Sequence, residues 1–301
     1  MKNKGIYFVL TTAFISGLAV FLNKFAVTFW SNSSVFTTAK NLIVAVLLTS
    51  LIILMKKLYE LKTLSIKDWW RLIVIGFIGG SVPFLLFFKG LTMASATNAA
   101  FIHKTLFIWV ALLAIPFLKE KISKLQIFAL GLLVFGTYLF AGPLKIKFGS
   151  GEFLVFLATI FWAAENIIAK ITLRNVSPLT TAWGRMFFGS IFLIIYLGFS
   201  GELGQIFVFS GEKINWLLLS SAILFGYVIT WYTALKSLPA TITTAILVIA
   251  APITALLDSI FVTHYLKPTI LISGLIIVLG ITLIIRIYER THSFLQIRLS
   301  S

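Results

Sequence analysis

Residues Ala96 to Glu120 read ATNAAFIHKTLFIWVALLAIPFLKE, and this stretch decides the class of the protein. It is almost entirely apolar and long enough to cross a bilayer, because about 20 helical residues span the ~30 Å hydrocarbon core. His103 and Lys104 nevertheless lie about two turns inside it. Ionisable groups at that depth are costly, so they usually face a cavity or a partner. The stretch therefore predicts a membrane helix that carries a functional charge.

The composition of the whole chain extends this interpretation. Of its 301 residues, 59% are hydrophobic and 11% are charged, whereas soluble domains average about 25% charged residues. An all-α integral membrane protein follows, because the apolar runs are about 20 residues long and not the ~10-residue alternating segments of a membrane barrel. The chain has no cysteine, which excludes disulfides, thiolate chemistry and cysteine metal sites.

The net charge of +16 would suit a nucleic-acid-binding protein, but the positions of the charges argue against that class. Most Lys and Arg residues lie at the ends of apolar runs, where they set orientation and meet anionic lipids. We therefore predict no nucleic-acid partner. The loop cations concentrate on the side of the N-terminus, so the positive-inside rule predicts a multi-pass cell-membrane protein with both termini in the cytoplasm.

Ten apolar spans divide the chain into two halves. We predict a first five-helix unit over residues 1–141, a polar linker over 142–151 and a second five-helix unit over 152–286. A basic cytoplasmic tail follows over residues 287–301. An even number of spans places both termini on one side of the membrane, in agreement with the charge distribution.

The second half repeats the first. Residues Ala240 to His264, ATITTAILVIAAPITALLDSIFVTH, echo the opening stretch at an offset of 144 residues, and FKGL at 88–91 matches YTAL at 232–235. Because each unit has an odd number of spans, two copies in one chain must face opposite ways across the membrane. Such an inverted-topology repeat is a recurrent plan of secondary transporters, whose site lies at the repeat interface near the midplane.

Several motifs, in their order and spacing, resemble the EamA family, the ten-helix branch of the drug/metabolite transporter superfamily. They are Gly90-Leu91 before Ala96, the matching Ala234-Leu235 before Ala240, the fourth-span exit FLKEKIS at 117–123, and Pro178 seven residues before Arg185. The resemblance covers nearly the whole chain. It implies transport of a small metabolite, often export of amino acids or related compounds, with spans 5 and 10 at the periphery.

The chain departs from the family pattern at two positions that matter below. The intraspan proline of the fourth helix of each unit is present as Pro252 but is replaced by Ile108 in the first copy. The acidic position Glu120 is matched by His264 in the second copy. These departures affect the detail of the site and not the fold.

The second unit carries Glu165 and Arg185 inside its spans, each about 12 Å from the inner end of its helix. Because spans 6 and 7 are consecutive, we expect them to form a hairpin in which these two side chains meet. Two roles stay open for the pair: a buried ion pair that locks the hairpin, or a gate coupled to proton transfer. Removing one partner should cost more stability than removing both, since it leaves a buried charge uncompensated.

The first unit carries cations with no acid at a similar depth in their own spans. They are Lys24, Lys40, His103 and Lys104, and Asp258 on span 9 is the nearest candidate acid. A bound anion would stabilise the charged form of such lysines in a low-dielectric vestibule. We therefore expect a substrate that bears a carboxylate or phosphate, with Lys104 as its main contact. Lys24 can instead reach the outer surface, and His103 can be a hydrogen-bonded structural residue or a coupling group.

Polar and aromatic residues within the spans complete the candidate site, although core packing is the simpler explanation for each aromatic ring. The predicted substrate-binding residues are Lys104, His103, Asn98, Trp109, Glu165, Asn166, Arg185 and Trp162. The predicted gate or coupling residues are Glu165, Arg185, His103, Lys40 and Asp258. Gly79, Gly80 and Pro83 form the predicted hinge, because glycine permits close helix approach and proline bends a helix.

The chain contains no Walker loop, H-E-x-x-H motif or dinucleotide-binding fingerprint, so we predict no enzyme, cofactor or metal site. The predicted function is secondary active or facilitative transport by alternating access, with export favoured. Two other classes stay open. A flippase or intramembrane handler of a phosphorylated lipid would need a lateral opening, and a non-transporting membrane scaffold would need no polar cavity. A small-molecule substrate and membrane lipids are the expected partners, and homo-oligomerisation is left open.

Overall fold

A computed structural model describes residues 2–30, 32–94, 96–141, 148–208 and 210–300. Across these ranges the chain is helical without a strand, and ten segments are long and apolar enough to cross a membrane. The all-α class with ten spans is therefore confirmed, while most of the predicted linker lies outside the described residues. The spans, numbered 1 to 10 in chain order, are Lys4–Phe29, Ser33–Leu54, Ile66–Leu91, Asn98–Leu118, Lys124–Ala141, Ser150–Thr172, Pro178–Phe199, Gly211–Ser237, Ala240–Thr263 and Pro268–Arg290.

Three spans are broken into half-helices within the described ranges. Span 3 consists of 3a (Ile66–Gly80) and 3b (Val82–Leu91), span 4 of 4a (Ala96–Lys104) and 4b (Leu106–Leu118), and span 9 of 9a (Ala240–Leu247), 9b (Ala250–Asp258) and a π-helical turn (Ser259–Thr263). The helices of the other spans are Lys2–Ala26, Ser33–Leu54, Lys124–Ala141, Ser150–Thr172, Pro178–Phe199, Gly211–Ser237 and Pro268–Ser300. A short helix at Leu58–Thr63 and 3-10 turns at Val27–Phe29 and Leu203–Phe207 lie between spans or at their ends.

The breaks in spans 4 and 9 occupy equivalent positions of the two units. Span 4 breaks at Thr105, and span 9 breaks at Val248 and Ile249, which is 144 residues further on. In span 9, Pro252 lacks the N–H that the Val248 carbonyl would otherwise accept. Span 4 has no proline there; instead, the Thr105 hydroxyl donates to the Ile102 carbonyl at 2.6 Å and competes with the helical ladder.

The contacts between spans follow a two-fold pattern. Span 1 packs on spans 8 and 9, and its repeat mate, span 6, packs on the equivalent spans 3 and 4. In the same way, span 2 packs on span 8, and its mate, span 7, packs on span 3. Spans 2 and 7, 4 and 9, and 5 and 10 each pack against their own repeat mate. The two units therefore use the same surfaces, and five spans per unit make them run in opposite directions.

Spans 5 and 10 pack mainly on each other, away from the largest buried core, which joins spans 2 to 4 with spans 6 to 9. Two glycines that are 144 residues apart allow this close approach. A Cβ on Gly136 would lie 2.8 Å from Ile277, and one on Gly280 would lie 2.9 Å from Leu133. Spans 5 and 10 thus lie at the periphery, as the family resemblance implies, and the broken helices are left at the centre of the molecule.

Candidate functional site

The break in span 3 frees a backbone carbonyl inside the protein. Pro83 has no N–H, so the carbonyl of Gly79, four residues earlier, has no helical donor. Two side chains of the second unit donate to it instead. They are the Trp162 indole Nε1, at 3.2 Å, and the Arg185 guanidinium, at 3.1 Å. The kinked helix of one unit thereby holds an aromatic ring and a cation of the other.

A second freed carbonyl, that of Gly80, accepts a 3.1 Å hydrogen bond from the Nδ2 of Asn41, which is fully buried. Ser81 lies between 3a and 3b, and its hydroxyl donates back into the preceding turn. Side chains thus satisfy the backbone groups that the break releases, as irregular backbone at membrane depth requires. The predicted hinge residues Gly79, Gly80 and Pro83 flank this break, and motion about them stays a prediction.

Glu165 faces the break from span 6. Its side chain is 1% exposed, and its Oε1 accepts a 2.6 Å hydrogen bond from the Tyr232 hydroxyl on span 8. Gly79 makes this approach possible, because a Cβ there would lie 2.4 Å from the Glu165 Cγ. Arg185 is close enough to interact electrostatically with both Glu165 and Tyr232. The three side chains form one buried cluster that connects spans 6, 7 and 8.

The relation of Glu165 to Arg185 differs from the sequence-based expectation. Span 3 packs against both span 6 and span 7, so the expected direct hairpin of spans 6 and 7 is wrong. Among the described residues, Glu165 and Arg185 form no ion pair with an N–O distance of 4.0 Å or less. The physical reason is the inverted repeat, which inserts a span of the first unit between two consecutive spans of the second.

His103 packs against the same Trp162 ring from half-helix 4a. Its ring centroid lies 4.9 Å from that of Trp162 and 5.1 Å from that of Phe87. Asn166, one turn further along span 6, donates its Nδ2 to the Trp162 carbonyl at 2.8 Å. The Nδ1 of His103 and the Oδ1 of Asn166 are buried without a hydrogen-bond partner in the described part of the chain. Buried polar atoms are normally paired, which makes these two atoms candidate contacts for a polar ligand.

Lys104 and Lys40 carry positive charge inside spans 4 and 2. Lys104 ends half-helix 4a directly at the break of span 4 and is half-buried. Lys40 is 8% exposed, and its Nζ lies 4.9 Å from the centre of the Phe36 ring. Over the ranges that the structure describes, no carboxylate lies within 4.0 Å of either ammonium. These lysines are therefore intramembrane cations for which those ranges provide no direct counter-ion.

Comparison with known proteins identifies the family. The chain matches the EamA-like transporter family over residues 3–142 and again over residues 149–286. The protein is a member of the EamA-like transporter family. It is 25% identical over 291 residues to "Uncharacterized transporter YyaM" of Bacillus subtilis (strain 168), which covers 93% of each chain. It is 27% identical over 243 residues to "Uncharacterized transporter sll1164" of Synechocystis sp. (strain ATCC 27184 / PCC 6803 / Kazusa), covering 73% of this chain and 68% of that one.

The fold of this EamA transporter is shared with a protein of known crystal structure. The two superimpose with a TM-score of 0.79 at 13% sequence identity, over 97% of this chain and 99% of the other. At that identity the likeness shows the fold alone. The family assignment makes the chain a multi-pass membrane transporter, and the resemblance found in the sequence is confirmed.

The remaining predicted site residues of the EamA transporter have partners of their own. Asn98 donates to the Glu152 carboxylate at the start of span 6 at 3.1 Å. Trp109 donates to the hydroxyl in the break of span 4 at 3.0 Å. Asp258 pairs with Lys24 at 2.9 Å, where the lysine side chain is 59% exposed. Lys24 therefore reaches the surface, and Asp258 contacts it there.

The structure brings five of the predicted residues together around the break in span 3. They are His103, Trp162, Glu165, Asn166 and Arg185. Sequence reasoning missed Tyr232 and Asn41, which bond to Glu165 and Gly80. Both are polar groups within apolar spans, and that is the signal that singles out Glu165, so the same criterion could have identified them.

Proposed function

We propose that this EamA transporter moves a small metabolite bearing a carboxylate or phosphate, such as an amino acid, across the cell membrane. The proposed mechanism is alternating access by a secondary active or facilitative carrier, with export favoured. The observation that carries the proposal is the pair of intramembrane cations, Lys104 and Lys40, with no carboxylate within reach among the described residues. An anion bound beside them would offset the cost of holding positive charge in a low-dielectric environment.

The break in span 4 supports an anionic substrate group next to Lys104. Half-helix 4b begins at Leu106, so its N-terminal end lies beside the ammonium-bearing end of 4a. The N-terminus of a helix carries partial positive charge and unpaired N–H groups, which favour anions. Discontinuous helices at mid-membrane provide substrate contacts of this kind in other transporter folds.

The proposed binding residues differ in what supports them. Trp162, His103 and Asn166 have contacts or buried unpaired atoms at the break of span 3, as described above. Asn98 and Trp109 are proposed as contacts on span 4, on the outer side and next to its break respectively.

We assign the gate or coupling role to the cluster around Glu165. A carboxylate that is 1% exposed and bonded to Tyr232 beside Arg185 can change its partner when the helices rearrange. His103, Lys40 and Asp258 are proposed as further gate or coupling residues outside this cluster, since each lies on a span that packs at the repeat interface.

Orientation and domain roles belong to the same proposal. The distribution of Lys and Arg supports placing both termini, and the basic tail over residues 287–301, in the cytoplasm. The units over residues 1–141 and 152–286 are the two bodies that rock against each other, with the break of span 3 as a hinge. Spans 5 and 10, which pack on each other, would stay at the periphery.

A ligand screen followed by transport tests the proposal. Purified protein is heated with amino acids, other carboxylates, phosphate esters and cationic amines, because a ligand stabilises the state that it binds. We expect anionic compounds to raise the melting temperature and to be transported in proteoliposomes. Lys104→Ala should weaken binding by about 10- to 100-fold, the range expected for losing a charged hydrogen bond. The matched control is Lys89→Ala, which removes an exposed lysine and should leave binding unchanged.

Three outcomes would contradict the proposal. Equal flux in Lys104→Ala and the parent would remove Lys104 from the site. Stabilisation by cationic amines alone would overturn the anion assignment. Scrambling of a labelled phosphorylated lipid in the same proteoliposomes, without metabolite flux, would favour the lipid-handling alternative.

A further inference from the structure

The linker between spans 8 and 9 is bound by a lysine from span 6. The Lys170 Nζ donates to the carbonyls of Leu235 and Leu238, each at 2.6 Å, and lies 3.3 Å from the carbonyl of Lys236. These carbonyls belong to the last turn of span 8 and the residue after it, where a helix has no internal donors left. One ammonium group therefore caps the free carbonyls at the C-terminal end of span 8.

The same linker is bound from its other end by an acid of the first unit. Glu120, just after span 4, accepts hydrogen bonds from the backbone N–H groups of Ala240 at 2.6 Å and Thr241 at 3.2 Å. These N–H groups lie in the first turn of half-helix 9a, and the partial positive charge of a helix N-terminus favours a carboxylate. Glu120 and Lys170 also attract each other electrostatically. We call Glu120, Lys170 and residues 235–241 the clasp.

Within the part of the chain that the structure describes, the clasp is formed on one side of the membrane only. By the repeat, the mates of Lys170 and Glu120 are Lys24 and His264. Lys24 pairs with Asp258 and is 59% exposed, and His264 is exposed and offers no carboxylate. The clasp lies on the face of the protein that bears the chain termini, since span 4 ends there and span 9 begins there. The two faces are thus chemically unequal, although the fold is nearly two-fold symmetric.

We propose that the clasp is the gate that holds the terminus-bearing face closed, and that its rupture opens the substrate path to that face. The inference rests on the proposed alternating access. Glu120 belongs to the first unit and half-helix 9a to the second, so their bond joins the two bodies that must separate. The break at Val248 and Ile249 lets 9a move without 9b.

Two further observations support the gate. A groove of about 310 Å³ reaches the clasp and is lined by Glu120, Lys170 and Arg174 among others, so the clasp lies beside an open space. On the same face, Glu60 of the first unit accepts a 2.7 Å hydrogen bond from the Ser177 N–H at the start of span 7. Glu60 thus joins the two units as Glu120 does, through a carboxylate that accepts a backbone N–H at a helix start.

The natural absence of cysteine allows a direct test in the full-length protein. Thr244→Cys places a single thiol on 9a at a position that is 2% exposed, one turn beyond the clasp. Its reaction with a water-soluble maleimide in proteoliposomes measures how often the gate opens. We expect Glu120→Gln and Lys170→Met each to raise the labelling rate on the order of tenfold, because each removes charged hydrogen bonds. Glu212→Gln, which removes an exposed acid at the start of span 8 on the other face, should not raise it.

The outcomes separate this inference from the proposed function, because labelling needs no substrate. An increase in both clasp variants, with unchanged gel-filtration profiles, supports the gate even if no anion is transported. If Glu120→Gln does not fold, Lys170→Met decides, since it keeps the Glu120 side chain but removes the cation that attracts it to the linker. Unchanged labelling in the folded clasp variants, or an equal increase in Glu212→Gln, would overturn the gate while leaving the anion proposal standing.

Discussion

The buried cluster depends on two features of Gly79, which are its free carbonyl and the space left by its lack of a Cβ. Its carbonyl accepts from Trp162 and Arg185, and the space where its Cβ would be is filled by the Glu165 side chain. The carboxylate then needs its own donor, because a buried acceptor without one is costly. Tyr232 provides that donor at 2.6 Å. A charged cluster inside the membrane is thus held by one hydroxyl and one backbone oxygen.

Removing that hydroxyl is the sharpest single-atom test of the cluster. We expect Tyr232→Phe to lower the free energy of unfolding by about 1–3 kcal/mol, since it leaves the Glu165 oxygen without its donor. Thermal unfolding in detergent measures the loss. Tyr265→Phe removes a hydroxyl from a tyrosine that is 63% exposed and should change the stability little.

The same cluster makes a prediction about non-additivity. In a Glu165→Gln background, the carboxyl acceptor is already replaced by an amide, so Tyr232→Phe should cost less than it does in the parent. A double-mutant cycle from the four melting curves gives the coupling. Strictly additive effects would mean that the 2.6 Å contact contributes no coupling between the two side chains.

At the scale of helices, what the sequence could predict depends on whether a feature is local. Ten spans follow from hydropathy, and the break of span 3 follows from Pro83. The break of span 4 does not, because it falls at Thr105, where the sequence has no proline to mark it. The contact between Glu165 and Tyr232 also escapes prediction, since it depends on which spans are neighbours. Consecutive spans 6 and 7 are separated by span 3, and sequence order alone gives no sign of that.

The close packing of span 3 on span 6 predicts opposite effects for two glycines. We expect Gly79→Ala to destabilise the protein by about 1–3 kcal/mol, because its Cβ would overlap Glu165 and push the cluster apart. Gly131→Ala is the matched control on span 5, where a Cβ meets nothing within 4 Å. There the better helix propensity of alanine should stabilise by up to ~1 kcal/mol. Similar melting temperatures for both variants would contradict the packing described for span 3.

At the scale of the whole molecule, a nearly symmetric scaffold carries unequal chemistry on its two faces. The inter-span contacts repeat in pairs, and Gly136 and Gly280 bring spans 5 and 10 together in equivalent ways. By contrast, Glu120 binds the start of 9a, while its repeat mate is His264. In the proposed alternating access, symmetry would make the two access states similar in energy, and the unequal side chains would then decide which one is populated.

The inverted repeat itself can be tested with two positions that the repeat makes equivalent. Lys121 and Tyr265 are 144 residues apart, in the loops that follow spans 4 and 9, and both are exposed. If the units are antiparallel, a single cysteine at one position must face the cytoplasm and a cysteine at the other must face outward. We expect a membrane-impermeant maleimide to label Tyr265→Cys on intact cells, and Lys121→Cys only after the membrane is opened. Lys119 and Lys124 remain in the first loop, so the substitution keeps the positive charge that orients it. Labelling from the same side at both positions would rule out the antiparallel arrangement. If instead Lys121→Cys were labelled from outside and Tyr265→Cys from the cytoplasm, the units would still be antiparallel, but both termini would lie outside the cell.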